Sequence, residues 1–263
     1  MRKTFRSKDN KAYWQHRWES IDADDVMLNH ESYPLKFAIK AINYNKRNQK
    51  ILEAGCGAGR ILSYLHNKNY DVIGIDFIDN AISKIKNKYQ NIRAEVGDII
   101  NTNFDKNYFD TILAFGLYHN FEVDNVKKAL LETKRILKKN GILCFSFRAD
   151  NLQNYILDKI KTKNNSKNTE FHKLNLKEDE LIKLLKFYNL EIIEKEYVVN
   201  MPLLFHFKFF RSKEQKEFNE HLGRRDGYTL NKIGRALDKI LRFFLIKHYC
   251  NVYVFFAIKT DLD

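Results

Sequence analysis

Negative charge is scarce in this chain: its 263 residues hold 33 Asp plus Glu against 46 Lys plus Arg, a formal net charge of +13. A balance this basic raises the prospect of a nucleic-acid partner, because clustered cations bind phosphate backbones. Lysine and asparagine are abundant everywhere, however, including residues 84–88 and 161–167, so the excess reads as compositional bias and not as a shaped patch. Cysteine is sparse as well. Cys56, Cys144 and Cys250 are odd in number, widely spaced and without a C-x-x-C pair, which argues against a disulfide framework and against a zinc site. Cys144, inside an apolar run, reads as core. No apolar stretch approaches the ~20 residues that span a bilayer. Residues 1–6 are basic but lack the apolar core of a signal peptide, so cytoplasmic residence is the default expectation. A chain of this length can bury one large core, and a single domain over 1–263 is expected.

What is present is concentrated in residues 51–60, Ile-Leu-Glu-Ala-Gly-Cys-Gly-Ala-Gly-Arg. A short apolar strand runs into an acid, Glu53, and then into glycines at alternate positions, Gly55, Gly57 and Gly59. Glycine lets the backbone turn sharply and approach a ligand closely. Ile61, Leu62 and Leu65 follow at helical spacing, so the start of a helix, rich in unpaired amides, faces the same place and favours a negative group there. The spacing is G-x-G-x-G and differs from the G-x-G-x-x-G of dinucleotide binders. Residues 70–76 (YDVIGID) predict a second strand ending in Asp76, about twenty residues on, where nucleotide-binding α/β folds hold a ribose diol. Residues 94–99 (AEVGDI) and 109–116 (FDTILAFG) predict a third and a fourth strand, the latter a continuous apolar run of the kind that is buried on both faces.

Taken together, EAGCGAGR, GIDF, GDI, FDTILAFGLYHN and LLETKRILKKNGILCFSF resemble, in order, the motifs of class I S-adenosylmethionine-dependent methyltransferases, strongly over residues 45–150. The resemblance implies an α/β, Rossmann-like fold: a seven-stranded, mostly parallel sheet with helices on both faces. It implies S-adenosylmethionine as cofactor and S-adenosylhomocysteine as product; no metal is expected, because a divalent-cation site wants several clustered acids and only isolated ones stand near the loop after strand four. Carried over residue by residue, it implies that Glu53, Gly55, Cys56, Gly57 and Gly59 hold the methionine part, with Cys56 acting through its backbone. Asp76 then takes the ribose, Phe77 the adenine face, Asp98 and Ile99 the adenine edge, and Phe115 the end of strand four beside them. Asp79 reads as the cap of the helix beginning near Asn80. The N-P-P-Y motif of amino-directed nucleic-acid methyltransferases is absent, so nucleic acid is not the expected acceptor. In its place stands Gly116-Leu117-Tyr118-His119-Asn120, which makes Tyr118 and His119 the candidates to orient an acceptor hydroxyl or, for His119, to remove its proton.

Beyond this core the pattern predicts a helix over 123–139, a fifth strand over 142–147, and Arg148 either as an anchor for an acidic substrate or as a partner of Asp150. A polar loop follows at 161–169, then a helix opened by Asn175, a sixth strand at 190–199 and an antiparallel seventh at 251–260. The expected organisation is a helical lead-in at 1–45, a core at 46–199, an aromatic and helical insertion at 200–250, and a last strand within 251–263. The insertion is too long for a passive loop. Within it, residues 201–250 carry eleven Lys plus Arg against five Asp plus Glu, a net of +6, and Ile233, Leu237, Ile240, Leu241 and Phe244 share one helical face. Three roles compete: a cap over the acceptor pocket, a basic amphipathic surface touching a membrane or a lipid-linked substrate, and a homodimer interface.

The pieces NMPLLFHFKFFR, GYTLNKIGR and CNVYVF also resemble methyltransferases of bacterial surface-polysaccharide synthesis. That likeness implies a sugar hydroxyl as acceptor, with His119, His172, His206 and Tyr228 as base candidates. The expected function is methyl transfer to a small-molecule or glycan acceptor, at oxygen. The alternatives are a non-catalytic cofactor-binding module, a nucleic-acid- or lipid-directed methyltransferase, and a nicotinamide oxidoreductase, whose glycine spacing would differ.

Overall fold

The computed structural model describes residues 1–19, 21, 23, 27, 29–45, 48–162, 169–219, 223 and 226–260. Most of the polar stretch expected as a loop at 161–169, part of the insertion and the last residues of the expected final segment lie outside the described residues.

A seven-stranded sheet organises the molecule. Its strands are β2 (Lys50–Ala54), β3 (Asp71–Asp76), β4 (Ala94–Val96), β5 (Phe109–Ala114), β6 (Leu137–Arg148), β8 (Leu190–Val198) and β9 (Val252–Lys259), in the order β4-β3-β2-β5-β6-β9-β8. The first five are parallel, and β9 runs antiparallel to both β6 and β8. The chain steps outward from β2 to β3 and β4, then returns to the other side of β2 with β5. This reversal opens a crevice at the carboxyl ends of the central strands, where open α/β sheets bind ligands.

Alternation along the strands separates two cores. Leu52, Ala54, Ile112, Ala114, Leu143 and Phe145 point to one face, against Val126, Ala129 and Leu130 of α5 (Val123–Ile136) and Leu181 and Leu185 of α7 (Glu178–Phe187). Ile51, Leu113, Ile142 and Cys144 point to the other. That face is covered by α2 (Leu35–Asn43), α3 (Arg60–Asn67) and α4 (Asp79–Lys88). Strands buried on both faces must be apolar nearly throughout, which is why β2 and β5 read as continuous runs.

Three boundaries differ from the sequence pattern. The helix expected to reach Lys139 stops at Ile136, and Leu137–Arg148 form β6. Leu137 is buried and pairs with Phe109, Lys138 bonds Asp110 at 2.8 Å, and Asn140 takes a left-handed turn (φ 60°), so tertiary pairing overrides helix propensity. Asp79 is the first residue of α4; the cap position belongs to Ile78, with no side-chain bond. α7 opens at Lys177, whose N–H donates to Glu180 at 2.9 Å, two residues beyond the expected Asn175.

The lead-in, expected to be helical, begins with a strand. β1 (Arg2–Arg6) pairs antiparallel with β7 (Glu170–Asn175) as a separate two-stranded sheet, and α1 (Asn10–Glu19) follows. Between β8 and β9 the insertion makes short 3-10 turns at Leu203–His206, Lys208–Phe210 and Lys213–Gln215, then an 18-residue helix, α8 (Lys232–Tyr249), kinked at Leu245. α6 (Leu152–Thr162) packs beside α8.

Candidate active site

The glycine loop leaves β2 with Gly55 at φ 70°, Gly57 at 52° and Gly59 at 85°, all in the left-handed region that side chains disfavour. Protein atoms also crowd these positions. A Cβ on Gly55 would stand 2.9 Å from Leu117, one on Gly57 2.7 Å from the Trp18 ring, and one on Gly59 3.0 Å from Ile85. Gly59 is the turn residue that starts α3. Asp76, buried at the end of β3, fixes the loop: its Oδ2 accepts the Gly57 N–H at 2.9 Å and its Oδ1 the Ile78 N–H at 3.0 Å. Burial raises its pKa, opposed by the amides of Ile78, Gly57 and Phe77.

Above this loop lies a cavity of about 1120 Å³. Glu53, Gly55, Cys56, Gly57, Asp76, Phe77, Asp98 and Phe115 all line it, so residues from four strand ends and their loops converge. Ile99 turns its side chain into the core, and the next residue, Ile100, lines the cavity instead. The buried Cys56 thiol is pushed well above its ordinary pKa by burial and by the nearby Glu53 and Asp76, so it stays protonated.

Sequence reasoning gave little notice to a wall supplied by α1. Trp14, Arg17 and Trp18 line the cavity, the two indoles stack with centroids 6.1 Å apart, and Trp18 covers Gly57. The available signal was the pair of tryptophans four residues apart, one face of a helix. The Nζ of Lys84 on α4 donates to the carbonyls of Trp18, Glu19 and Ile21 at 2.6, 3.1 and 2.7 Å, satisfying the carboxyl end of α1. Tyr33 is a second unforeseen lining residue. Its ring meets Phe115 edge-on, and its hydroxyl bonds Ser146 at 2.8 Å.

On the opposite side, the two residues expected to handle the acceptor separate. Tyr118 is fully buried and does not line the cavity. Its hydroxyl pairs with Thr133 Oγ1 of α5 at 2.8 Å, and burial raises its pKa. Tyr118 is therefore a core residue, a correction with a plain cause: the 3-10 turn Tyr118–Asn120 points it inward onto α5. His119, next to it, does line the cavity, and its Nδ1 is buried with no hydrogen-bond partner among the described residues. Burial, reinforced by the charges of Lys173 and Arg148, holds its pKa well below the ordinary imidazole value. Lys173 of β7 lines the cavity too.

Arg148 is paired with Asp158, not with Asp150, through bonds of 2.9 and 2.8 Å, and Arg2 bonds both acids. Among the other base candidates, His206 and Tyr228 line the cavity from the insertion, as do Met201 and Arg242. His172 does not line it; it is buried against Arg6.

Residues 52–145 match the family model of the methyltransferase domain. Over that stretch, about a third of its length, the chain is similar to a methyltransferase domain. Over 82 residues it is 33% identical to an uncharacterized methyltransferase of Schizosaccharomyces pombe, a match covering 30% of this chain. The chain spans only 57% of that relative's length. Among solved structures, an S-adenosylmethionine-dependent methyltransferase of Methanosarcina mazei aligns with TM-score 0.58 at 18% identity, covering 86% of this chain and 97% of the other. Magnesium protoporphyrin IX methyltransferase of Synechocystis PCC 6803, with bound S-adenosylhomocysteine, aligns with TM-score 0.54 at 12% identity, covering 93% and 83%. At such identities the likeness is one of fold.

Proposed function

We propose that this chain is an enzyme that transfers a methyl group from S-adenosylmethionine to a small-molecule acceptor. The observation that carries the reading is the glycine loop: three left-handed residues, tied to Asp76, under a cavity into which Glu53 and Asp76 bring carboxylates. The donor set suits the cofactor. Each Asp76 oxygen accepts one backbone N–H and keeps a lone pair for a ribose hydroxyl. Glu53 matches a cationic amino group, the start of α3 a carboxylate, and Phe77 with Ile100 the faces of a flat base, with Asp98 at its edge. When bound, S-adenosylmethionine supplies an electrophilic methyl on a sulfonium.

The residues of the chain then position the acceptor and exclude water. His119 is neutral at physiological pH, so it holds an acceptor by accepting a hydrogen bond, and a hydroxyl suits that role. Alignment of this kind supplies roughly 7–11 kcal/mol of barrier lowering in favourable cases. Residues of α1 and of the insertion both line the cavity.

Calorimetric titration with S-adenosylhomocysteine, with NADH as the comparison, tests the reading. The expected result is a Kd in the range of about 1 μM, near −8 kcal/mol, for the former and no heat from NADH. Silence with S-adenosylhomocysteine, or binding of NADH in its place, overturns it. Once an acceptor is found, His119→Ala should bind cofactor normally and turn over more slowly; unchanged turnover removes His119 from the mechanism.

A further inference from the structure

α8 shows an apolar face to solvent. Phe243 is 80% exposed, Phe244 72%, Ile233 56% and Ile240 53%, and Leu237 lies on the same stripe. Phe209, 64% exposed, adjoins its start, where the Asn231 side chain donates to the Phe209 carbonyl at 2.6 Å. A helix normally turns such a stripe inward. Here the inward face is already taken: Gly234 and Asp238 are buried, and Asp238 accepts from Arg242 at 2.6 Å and from the Tyr249 hydroxyl at 2.7 Å. Among the described residues, the outward apolar face is left exposed.

Along α8 the exposed charges are of one sign, while beside Phe209 the exposed Glu217 is paired with Lys208. The only acid of α8, Asp238, is buried and bonded, whereas Lys232, Arg235, Lys239 and Lys247 are exposed. An isologous contact between two copies would set these cations against their own equivalents, with no exposed acid of the helix to meet them. An anionic surface meets both features at once: apolar side chains enter the boundary layer and the lysines meet head groups. Among the described residues, no helix is long and apolar enough to cross a membrane, so α8 would lie on such a surface.

We infer that α8, with Phe209 beside it, is a docking face for an anionic lipid bilayer. The inference stands apart from the proposed methyl transfer and does not depend on it. The test is co-sedimentation of the full chain with phosphatidylcholine vesicles, with and without phosphatidylserine. The expected result is binding only where phosphatidylserine is present, weakened by salt. Replacing Phe243→Ser together with Phe244→Ser should lower the vesicle partition about tenfold or more, and Lys232→Glu with Lys239→Glu should do the same. All four side chains are exposed and outside the cavity, so an unchanged melting temperature verifies that the variants are folded. No binding to phosphatidylserine vesicles, or equal binding by the Phe243/Phe244 variant, overturns the inference. So does a wild-type dimer, by light scattering, that the Phe variant disperses while vesicles bind neither; that result assigns the face to a second copy.

Discussion

Asp76 closes the glycine loop onto the end of β3 with two hydrogen bonds, so its role in folding the site precedes any contact with a ligand. Asp76→Asn replaces one acceptor oxygen by an NH2 group facing a backbone N–H. The loss of one charge-assisted bond with the other N–H left buried is expected to cost about 1–3 kcal/mol. The expected outcome is a lower melting temperature together with weaker S-adenosylhomocysteine affinity; loss of affinity with an unchanged melt would restrict Asp76 to ligand contact. Tyr118 makes the opposite case. Thr133 Oγ1 donates to the Ala129 carbonyl at 2.7 Å, so the Tyr118 hydroxyl is the donor in its own bond to Thr133. Tyr118→Phe strands no buried donor. It should cost about 1 kcal/mol in denaturant unfolding and leave turnover unchanged, whereas a large fall in kcat would return Tyr118 to the mechanism.

At the scale of elements, α1 depends on α4 for its place. Three carbonyls at or just beyond the end of α1 converge on the Lys84 ammonium, which has three protons to give. Lys84→Met keeps the stem and removes the donors. The α1 wall, with Trp14 and Trp18, should then open more readily, raising the Kd for S-adenosylhomocysteine by roughly tenfold, about 1.4 kcal/mol, while the melt of the sheet core moves little. A Kd equal to that of the unaltered chain would show that α1 needs no clasp.

The same element marks where the sequence stopped being readable. The central strands, the glycine loop and the acid ending β3 are local patterns: an apolar run, then glycine or a carboxylate within a few residues. The clasp joins residues 63 to 66 positions apart, and lysines 84–88 look in sequence like mere bias. β1 was illegible for a related reason. Arg-Lys-Thr-Phe-Arg offers no apolar alternation, and the strand exists because it pairs with β7, whose Asn175 donates to the Arg2 carbonyl at 3.0 Å. Tyr118 and His119 were indistinguishable as neighbours in a loop; only the 3-10 turn decides which of them enters the core.

For the whole molecule, pH is the sharpest probe, because two imidazoles, one of them lining the cavity, are buried among cations. His119 and His172 are each 7% exposed. Burial first, then Lys173 and Arg148 for both and Arg6 for His172, hold their pKa values below the ordinary one. A group whose folded pKa is depressed contributes stability above its unfolded pKa and loses it as pH falls. The unfolded chain takes protons near pH 6.5 that the folded chain refuses. Each histidine should therefore remove about 1.4 kcal/mol per pH unit below that point. The acids act in a separate window. Burial alone would raise the pKa of Asp158, but its bonds to Arg148 and Arg2 prevail and hold it low, so its contribution is lost only below about pH 4. Thermal melts between about pH 7 and about pH 5 should fall steeply, and His172→Gln should flatten the decline by about one proton's slope. A melting temperature constant across that interval would mean that both imidazoles are protonated, or hydrated, in the folded chain, and that the wall of the cavity around Lys173 and Arg148 is open to water.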